Sequence, residues 1–334
     1  MKQLHEFPSI EQFRHVVKYV KTHARYAGKD DAGEPIYDPT KPIPSLDFIG
    51  TVKLHGTNAA VCQSNGERWL QSRGQIIEDG HYGFAEWAKD HSDDFDAAFN
   101  SITGYDTVCI YGEWCGKGIQ KGVGISTFDK MFVIFAVRLI NGEEKEWMTK
   151  DQIKSLGLVS VYDFPTFNMT IDFNSPELSQ NDLVSLTDEV EKDCPITKHL
   201  GGSGIGEGIV WSCVSEGWNT SVMWFKVKGE KHSETKVKTL AEVDIEKVNS
   251  IRECVDKIVT ENRMLHGLKH LSDSKIDLDI KNMGAFLKWL ASDAIKEEAD
   301  IISASGLEPK DVGKAISMKG RGWFLKKLNE EIAA

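Results

Sequence analysis

The sequence lacks most features that mark a special class of protein. It has only nine prolines and six cysteines in 334 residues. The cysteines (Cys62, Cys109, Cys115, Cys194, Cys213 and Cys254) are scattered, with no C-x-x-C and no Cys/His pair at zinc spacing. That pattern excludes a disulfide scaffold or a zinc module and implies reduced thiols in a cytoplasmic setting. No apolar run approaches the roughly 18 residues a membrane span needs. The longest, "MFVIFAV" from Met131, has the length of a strand. The opening "MKQLHEFPSIEQF" has no apolar h-region and carries early glutamates, unlike a signal or transit peptide. Internal repeats and low-complexity segments are also missing. Positive charge is in deficit: 40 Lys and Arg against 51 Asp and Glu give a formal net charge of −11. A broad basic coat for nucleic acid is therefore excluded, while a local basic groove is not. One candidate is "FKVKGEKHSETKVK", residues 225–238, where Lys226, Lys228, Lys231, Lys236 and Lys238 face Glu230 and Glu234.

What is present is an ordinary globular composition, 40% hydrophobic and 27% charged, long enough for two domains. Apolar spacing predicts helices over 9–25, 82–100 and 176–192. Strands are expected near 47–55, 57–63, 67–73, 106–113, 131–140, 208–214 and 220–228, with a loop over 27–46. Beyond Lys238 strand signals almost vanish. Helical spacing appears at Val243, Val248, Ile251, Val255 and Ile258, and further helices are predicted over 281–298, 308–316 and 320–332. We therefore expect a mixed α+β domain over 1–238 and a small all-helical domain over 239–334.

The stretch "FIGTVKLHGTNAAVC", Phe48 to Cys62, reads as a strand, yet Lys53 lies in its middle and a His-Gly-Thr-Asn turn follows. Strand interiors disfavour Lys and Gly. Taken alone, Lys53 is an edge-strand lysine. A lysine can also attack phosphorus or carbonyl carbon once neutral, and nearby cations or a metal promote that state. "IYGEWCGKG" sets Glu113 at a strand end before a glycine-rich loop, and "GEGIVW" sets Glu207 at a strand start after another. "WFKVKG" puts Lys226 and Lys228 on one face of a strand. Singly, Glu113 reads as a solvated loop acid and the lysine pair as an outward edge; the ordered set is what points to chemistry. "GGSGIGEG" lacks the Gly-Lys-Ser/Thr of a P-loop and precedes a strand rather than a helix, so it reads as a tight turn delivering Glu207.

This set resembles the covalent nucleotidyltransferases, which include DNA ligases, RNA ligases and mRNA capping enzymes. The finer resemblance is to the RNA ligase 2 family of phage RNA ligases and kinetoplastid RNA-editing ligases. "KLHGTN" at 53–58 is similar to that family's nucleophile motif, "SRG" at 72–74 to its next motif and "YGEWCGKGIQKGV" at 111–123 to its long Glu-motif. "MFVIFAV" at 131–137, "EGIVW" at 207–211 and "FKVK" at 225–228 complete the series, over residues 47–238. Two departures stand out: Ala136 follows Phe135 where family members often have Asp, and no Lys-Pro follows "EGIVWSC".

The resemblance implies an ATP-grasp-like ligase domain of antiparallel sheets with flanking helices, followed by a helical domain that engages RNA. It implies that Lys53 attacks the α-phosphorus of ATP to form lysyl-AMP. AMP then passes to a 5′-phosphate in nicked duplex RNA, and a 3′-OH displaces it. By the same resemblance Lys226 and Lys228 hold the α-phosphate, Glu113 contacts the ribose, Phe135 stacks on adenine, and Arg73 contacts phosphate. Glu207 helps hold Mg2+ (or Mn2+), and His55, Asn58 and Arg73 serve RNA-facing steps. Phe135 also reads as a core residue, Arg73 as a surface arginine, and His55 and Asn58 as turn residues. A DNA ligase or capping enzyme is the nearest alternative, although both usually carry a strand-rich domain where this chain turns helical. A non-catalytic nucleotide- or RNA-binding module and a protein-interaction scaffold are the others.

Overall fold

The structure, a computed structural model, describes residues 2–232 and 251–332. The chain divides into two compact units, Met1–Gly229 and Glu230–Ala334. The boundary expected near 238, Lys236 and Lys238 of the basic segment, and the helical positions Val243 and Val248 lie outside the described residues.

The first unit is built on two sheets. Its strands are β1 (Glu11–Gln12), β2 (Tyr26–Lys29), β3 (Pro35–Tyr37), β4 (Ser45–Val52), β5 (Thr57–Ser64), β6 (Glu67–Ser72), β7 (Ile76–Ile77), β8 (Thr107–Cys115), β9 (Met131–Asn141), β10 (Glu144–Trp147), β11 (Thr166–Asp172), β12 (Gly208–Cys213) and β13 (Phe225–Lys228). Its helices are α1 (Phe13–Arg25), α2 (Phe84–Asp90), α3 (Ser92–Asn100), α4 (Lys150–Lys154), α5 (Glu177–Lys192) and α6 (Pro195–His199). A five-stranded sheet runs β1-β13-β12-β4-β11 and a six-stranded sheet runs β10-β9-β8-β5-β6-β7; β2 and β3 form a separate hairpin. All pairings are antiparallel except β1 with β13. The fold is thus the α+β arrangement of antiparallel sheets and flanking helices that the sequence suggested.

Side-chain alternation gives the six-stranded sheet two different faces. On one, Val61, Ile110, Trp114, Phe132 and Val137 pack beneath Phe84, Ala88, Phe95 and Phe99 of α2 and α3. On the other, Ala60, Cys62, Cys109, Tyr111 and Ala136 form a smaller cluster with Phe7 and Trp69. β9 serves both faces through a β-bulge. Tyr111 pairs with Ala136 and Gly112 with Ile134, which leaves Phe135 as the extra residue. Before the bulge Phe132 and Ile134 face the helices; after it Val137 and Leu139 do. Phe135 and Ala136 therefore share the opposite face, where alternation alone would separate them. In the five-stranded sheet the core is aromatic: Phe225 lies 4.9 Å from Phe13 and 5.4 Å from Phe48, ring to ring.

The second unit, among its described residues, contains only helices: α7 (Ile251–Ile258), α8 (Glu261–Asp273), α9 (Met283–Glu297), α10 (Ala299–Ala304), α11 (Pro309–Ile332) and a short 3-10 turn. Val255, Ile258, Phe286, Leu290, Ile301, Ile316 and Phe324 form its core. Arg263 is fully buried there, bound to Asp293 at 2.8 Å and Glu298 at 2.6 Å. All six cysteines are free and buried. No helix among the described residues is long and apolar enough to cross a membrane.

Several expected elements differ. The helix over 82–100 is two helices, broken at His91, which donates from Nδ1 to the Trp87 carbonyl at 2.8 Å and stacks its ring on Trp87. The helices over 308–316 and 320–332 are one, α11. Gly320 lets α11 approach α9, since a Cβ there would lie 2.5 Å from Leu290. The loop over 27–46 includes β3 and most of β2, and of 220–228 only Phe225–Lys228 is strand. Finally, β4 stops at Val52, so Lys53 follows the strand rather than interrupting it.

Candidate active site

The chain leaves the five-stranded sheet at Val52 and enters the six-stranded sheet at Thr57, so residues 53–56 are the crossing between the two. The Lys53 N–H donates to the Gly208 carbonyl at 2.8 Å, which prolongs the β4–β12 ladder by one bond. That bond brings Lys53 beside the residue preceding β12, Glu207. The Lys53 Nζ lies 2.8 Å from Glu207 Oε2, His55 Nδ1 lies 3.1 Å from the same oxygen, and Lys228 Nζ lies 3.2 Å from Oε1. Glu207 is 2% exposed. Burial by itself pushes its carboxyl up, but the Lys53 and Lys228 ammoniums and the His55 hydrogen bond outweigh that and hold it well below the usual carboxylate range. Gly208 makes the placement possible, because a Cβ there would meet the Val227 carbonyl oxygen at 2.2 Å.

The crossing is held from the other side as well. The Gly56 N–H donates to Glu113 Oε1 at 2.8 Å, and Gln120 donates to the Gly56 carbonyl at 3.5 Å. Only glycine fits at 56, since a Cβ would lie 2.2 Å from the Trp114 carbonyl oxygen. Asn58 pairs with Glu113 across the β5–β8 ladder, so both side chains project from one face of the sheet. That face also carries Phe135, half-buried, with its ring 5.0 Å from Phe7. Lys226 sits two residues before Lys228 on the same face of β13, opposite Val210 of β12 and Gln12 of β1. Arg73 lies just past the end of β6 and is exposed.

The structure therefore gathers Lys53, His55, Glu207 and Lys228 into one hydrogen-bonded cluster. Glu113 and Asn58 adjoin it through Gly56 and the start of β5. Arg73 stands outside these bonds, and Phe135 joins the site only as part of the neighbouring sheet face. Three features went unread in the sequence. Gln120, in the glycine-rich connection, bonds the crossing. Phe7 lies at the centre of an aromatic cluster with Tyr111, Phe135, Trp147 and Trp224. The turn "GHYG" at 80–83 has positive φ at all four residues, including His81 (52°) and Tyr82 (57°). A left-handed conformation costs an L-residue about 1–2 kcal/mol. The only sequence signal for it was the pair of flanking glycines.

Comparison with known proteins identifies a family. The profile of one family, described as RNA ligase, matches residues 46–228, more than half of the chain. No curated protein matches. Among solved structures the chain is similar to Naegleria gruberi RNA ligase with PPi, at 15% identity over 69% of this chain and 59% of that one, with a TM-score of 0.44. It is also similar to mutants of that ligase with ATP and Mn (15%, 68% and 59%, TM-score 0.44) and with AMP and Mn (15%, 68% and 59%, TM-score 0.45). The chain thus spans less than two thirds of the Naegleria enzyme's length. The matched segment begins in β4 and ends at Lys228, enclosing the whole cluster around Glu207, and it places the chain in the RNA ligase family.

Proposed function

We propose that the protein is an ATP-dependent RNA ligase of the RNA ligase 2 type, joining a 3′-OH to a 5′-phosphate at breaks in duplex RNA. The observation that carries this reading is the convergence of Lys53, His55 and Lys228 on the single buried carboxylate of Glu207. Three groups separated by up to 175 positions meet there (228 − 53 = 175).

In this reading Lys53 Nζ loses a proton and bonds to the α-phosphorus of ATP as the bond to pyrophosphate breaks, leaving lysyl-AMP. The AMP moves to the RNA 5′-phosphate, freeing Lys53. The 3′-OH then bonds to that phosphorus and AMP departs. Each step is a displacement at phosphorus, governed by alignment and charge neutralisation. Glu207 fixes Nζ in place, while Lys226 and Lys228 offset charge on the α-phosphate. Glu113, which accepts from the Gly56 N–H, contacts the ribose. Phe135 provides a face for adenine, and Arg73 suits a phosphate through its planar fork. His55, beside the nucleophile, and Asn58 serve the RNA-facing steps.

Among the described residues no cluster of three or more His, Cys, Asp or Glu could hold a metal ion. In this reading Glu207 would help hold Mg2+ or Mn2+, a hard cation that sits at phosphate sites on one or two carboxylates. Such an ion supplies charge neutralisation at the transferring phosphate.

The test is incubation with α-labelled ATP and magnesium or manganese. Label should join the protein covalently, and ATP should outperform GTP. Lys53→Ala and Lys53→Arg should both take up none, because alanine has no amine and the guanidinium stays protonated. Nicked RNA should be sealed in preference to nicked DNA. Undiminished labelling of either variant removes Lys53 as nucleophile.

A further inference from the structure

The geometry points to His81 as a positioning residue for the RNA-joining steps, acting on residues 55–58, at the entry to β5, through the Thr57 hydroxyl. This inference rests on the ligase reading above. Two consecutive non-glycine residues held at positive φ, His81 and Tyr82, are improbable in a freely chosen turn. Histidine is among the residues more tolerant of that region, but a bulky tyrosine is an outlier. Such backbone persists only where surrounding contacts over-determine it, and it concentrates at functional sites.

Here the contacts are specific. Trp114 donates its indole N–H to the Tyr82 carbonyl at 3.2 Å, and Lys130 Nζ donates to the same oxygen at 2.6 Å. Both bonds fix the turn so that His81 Nε2 lies 3.4 Å from Thr57 Oγ1. Thr57 and Trp114 are partners on one rung of the β5–β8 ladder. That rung is the first after the crossing that carries Lys53 and His55. One rung therefore touches both strained residues, and the strained residues return a contact to the start of β5. Thr57 itself is buried, and its hydroxyl can donate to or accept from the His81 ring nitrogen. On this geometry His81 sets the orientation of the segment bearing His55 and Asn58, while Lys53 remains fixed independently by Gly208 and Glu207.

The test uses the full chain and the variants His81→Gly, Thr57→Val and their combination. Glycine accepts positive φ without strain, so His81→Gly should leave the melting temperature unchanged or higher. Label transfer from ATP should stay within about twofold of the parent. Single-turnover sealing of a pre-adenylylated nicked RNA duplex should fall about tenfold, and the double variant should be no slower than the slower single variant. A loss of stability together with rate would reveal packing rather than positioning and overturn the inference. So would unchanged sealing, a matching fall in label transfer, or losses that multiply in the double variant. If the parent protein takes up no label and seals nothing, the ligase reading fails first and this one with it.

Discussion

Glu207 is a buried carboxylate whose charge is balanced by two ammonium groups and an imidazole, and the energetics of such sites are asymmetric. Taking the carboxylate out of water is expensive, and removing it afterwards takes away the group that half-buried Lys53 and Lys228 share, at a cost of up to about 3–5 kcal/mol. Glu207→Ala should lower stability by that order in chemical denaturation, whereas Glu207→Gln, which can still accept hydrogen bonds, should lower it less. Both should abolish label transfer. The pH dependence has a definite sign. The folded carboxyl titrates below its ordinary value of 4.5. The stability it contributes is therefore complete above about pH 4.5 and is lost as pH falls through the lower, folded value. Glu207→Gln should flatten the acid limb of a stability-against-pH curve without altering the neutral plateau's shape. His55 shares the same oxygen and, in the proposed reaction, is not the nucleophile. His55→Ala should keep label uptake while sealing a pre-adenylylated nick poorly; equal losses in both assays would mean that it only supports the pocket.

Among the elements, β9 shows most clearly what a sequence does and does not disclose. Its apolar run marks a strand plainly, and so do the alternating runs of β5, β6 and β8. The bulge at Phe135 cannot be read from the run, because it arises from register against β8. The consequence reaches the departure at Ala136. With the bulge in place, Ala136 is 5% exposed and packs into the cluster of Phe7, Cys62 and Tyr111. An aspartate there, the residue common in the family, would put a carboxylate among apolar groups. Ala136→Asp should therefore destabilise the protein by about 1–3 kcal/mol, measured by urea titration, rather than restore a missing function. The same reasoning explains the other misreadings. Lys53 appeared to interrupt a strand because the residues on both sides of it are strands, belonging to different sheets. The single helix α11 was expected as two, over 308–316 and 320–332, because the packing of Gly320 against Leu290 of α9 is invisible in a linear sequence. Lys53, His55, Glu207 and Lys228, by contrast, could be picked out from their order, and the structure brings them together. Their distances depended on the Lys53–Gly208 bond, which no local pattern announces.

At the scale of the whole molecule, the proposed function asks how an acidic protein would engage RNA. Residues 301–330 carry six cations and three acids, a balance of 6 − 3 = +3, against −11 for the chain. Much of that excess is internally paired. Lys319 binds Asp256, Lys310 binds Glu308, and Lys326 and Lys327 both approach Glu330. Lys314 and Arg321, exposed on α11, have no ion-pair partner among the described residues. We expect these two to contribute most to phosphate binding. A chain truncated after Lys238 should keep label uptake and lose sealing. Lys314→Glu with Arg321→Glu in the full chain should weaken RNA binding and make its salt dependence shallower by roughly 1.5 in log–log slope. Unchanged slope and sealing would remove the helical unit from substrate engagement.

The distribution of cysteines has a practical consequence. Every thiol is shielded in the folded protein, five in the first unit and one, Cys254, in the second. An alkylating reagent therefore has nothing to react with until a unit opens, and the mass added reveals which one did. A single adduct appearing ahead of the rest would report opening of the helical unit alone; five without the sixth would report the reverse. Repeated with and without ATP, the same count would show which unit nucleotide binding protects, with no probe introduced into the chain. Nucleotide should slow the five and leave the one unchanged.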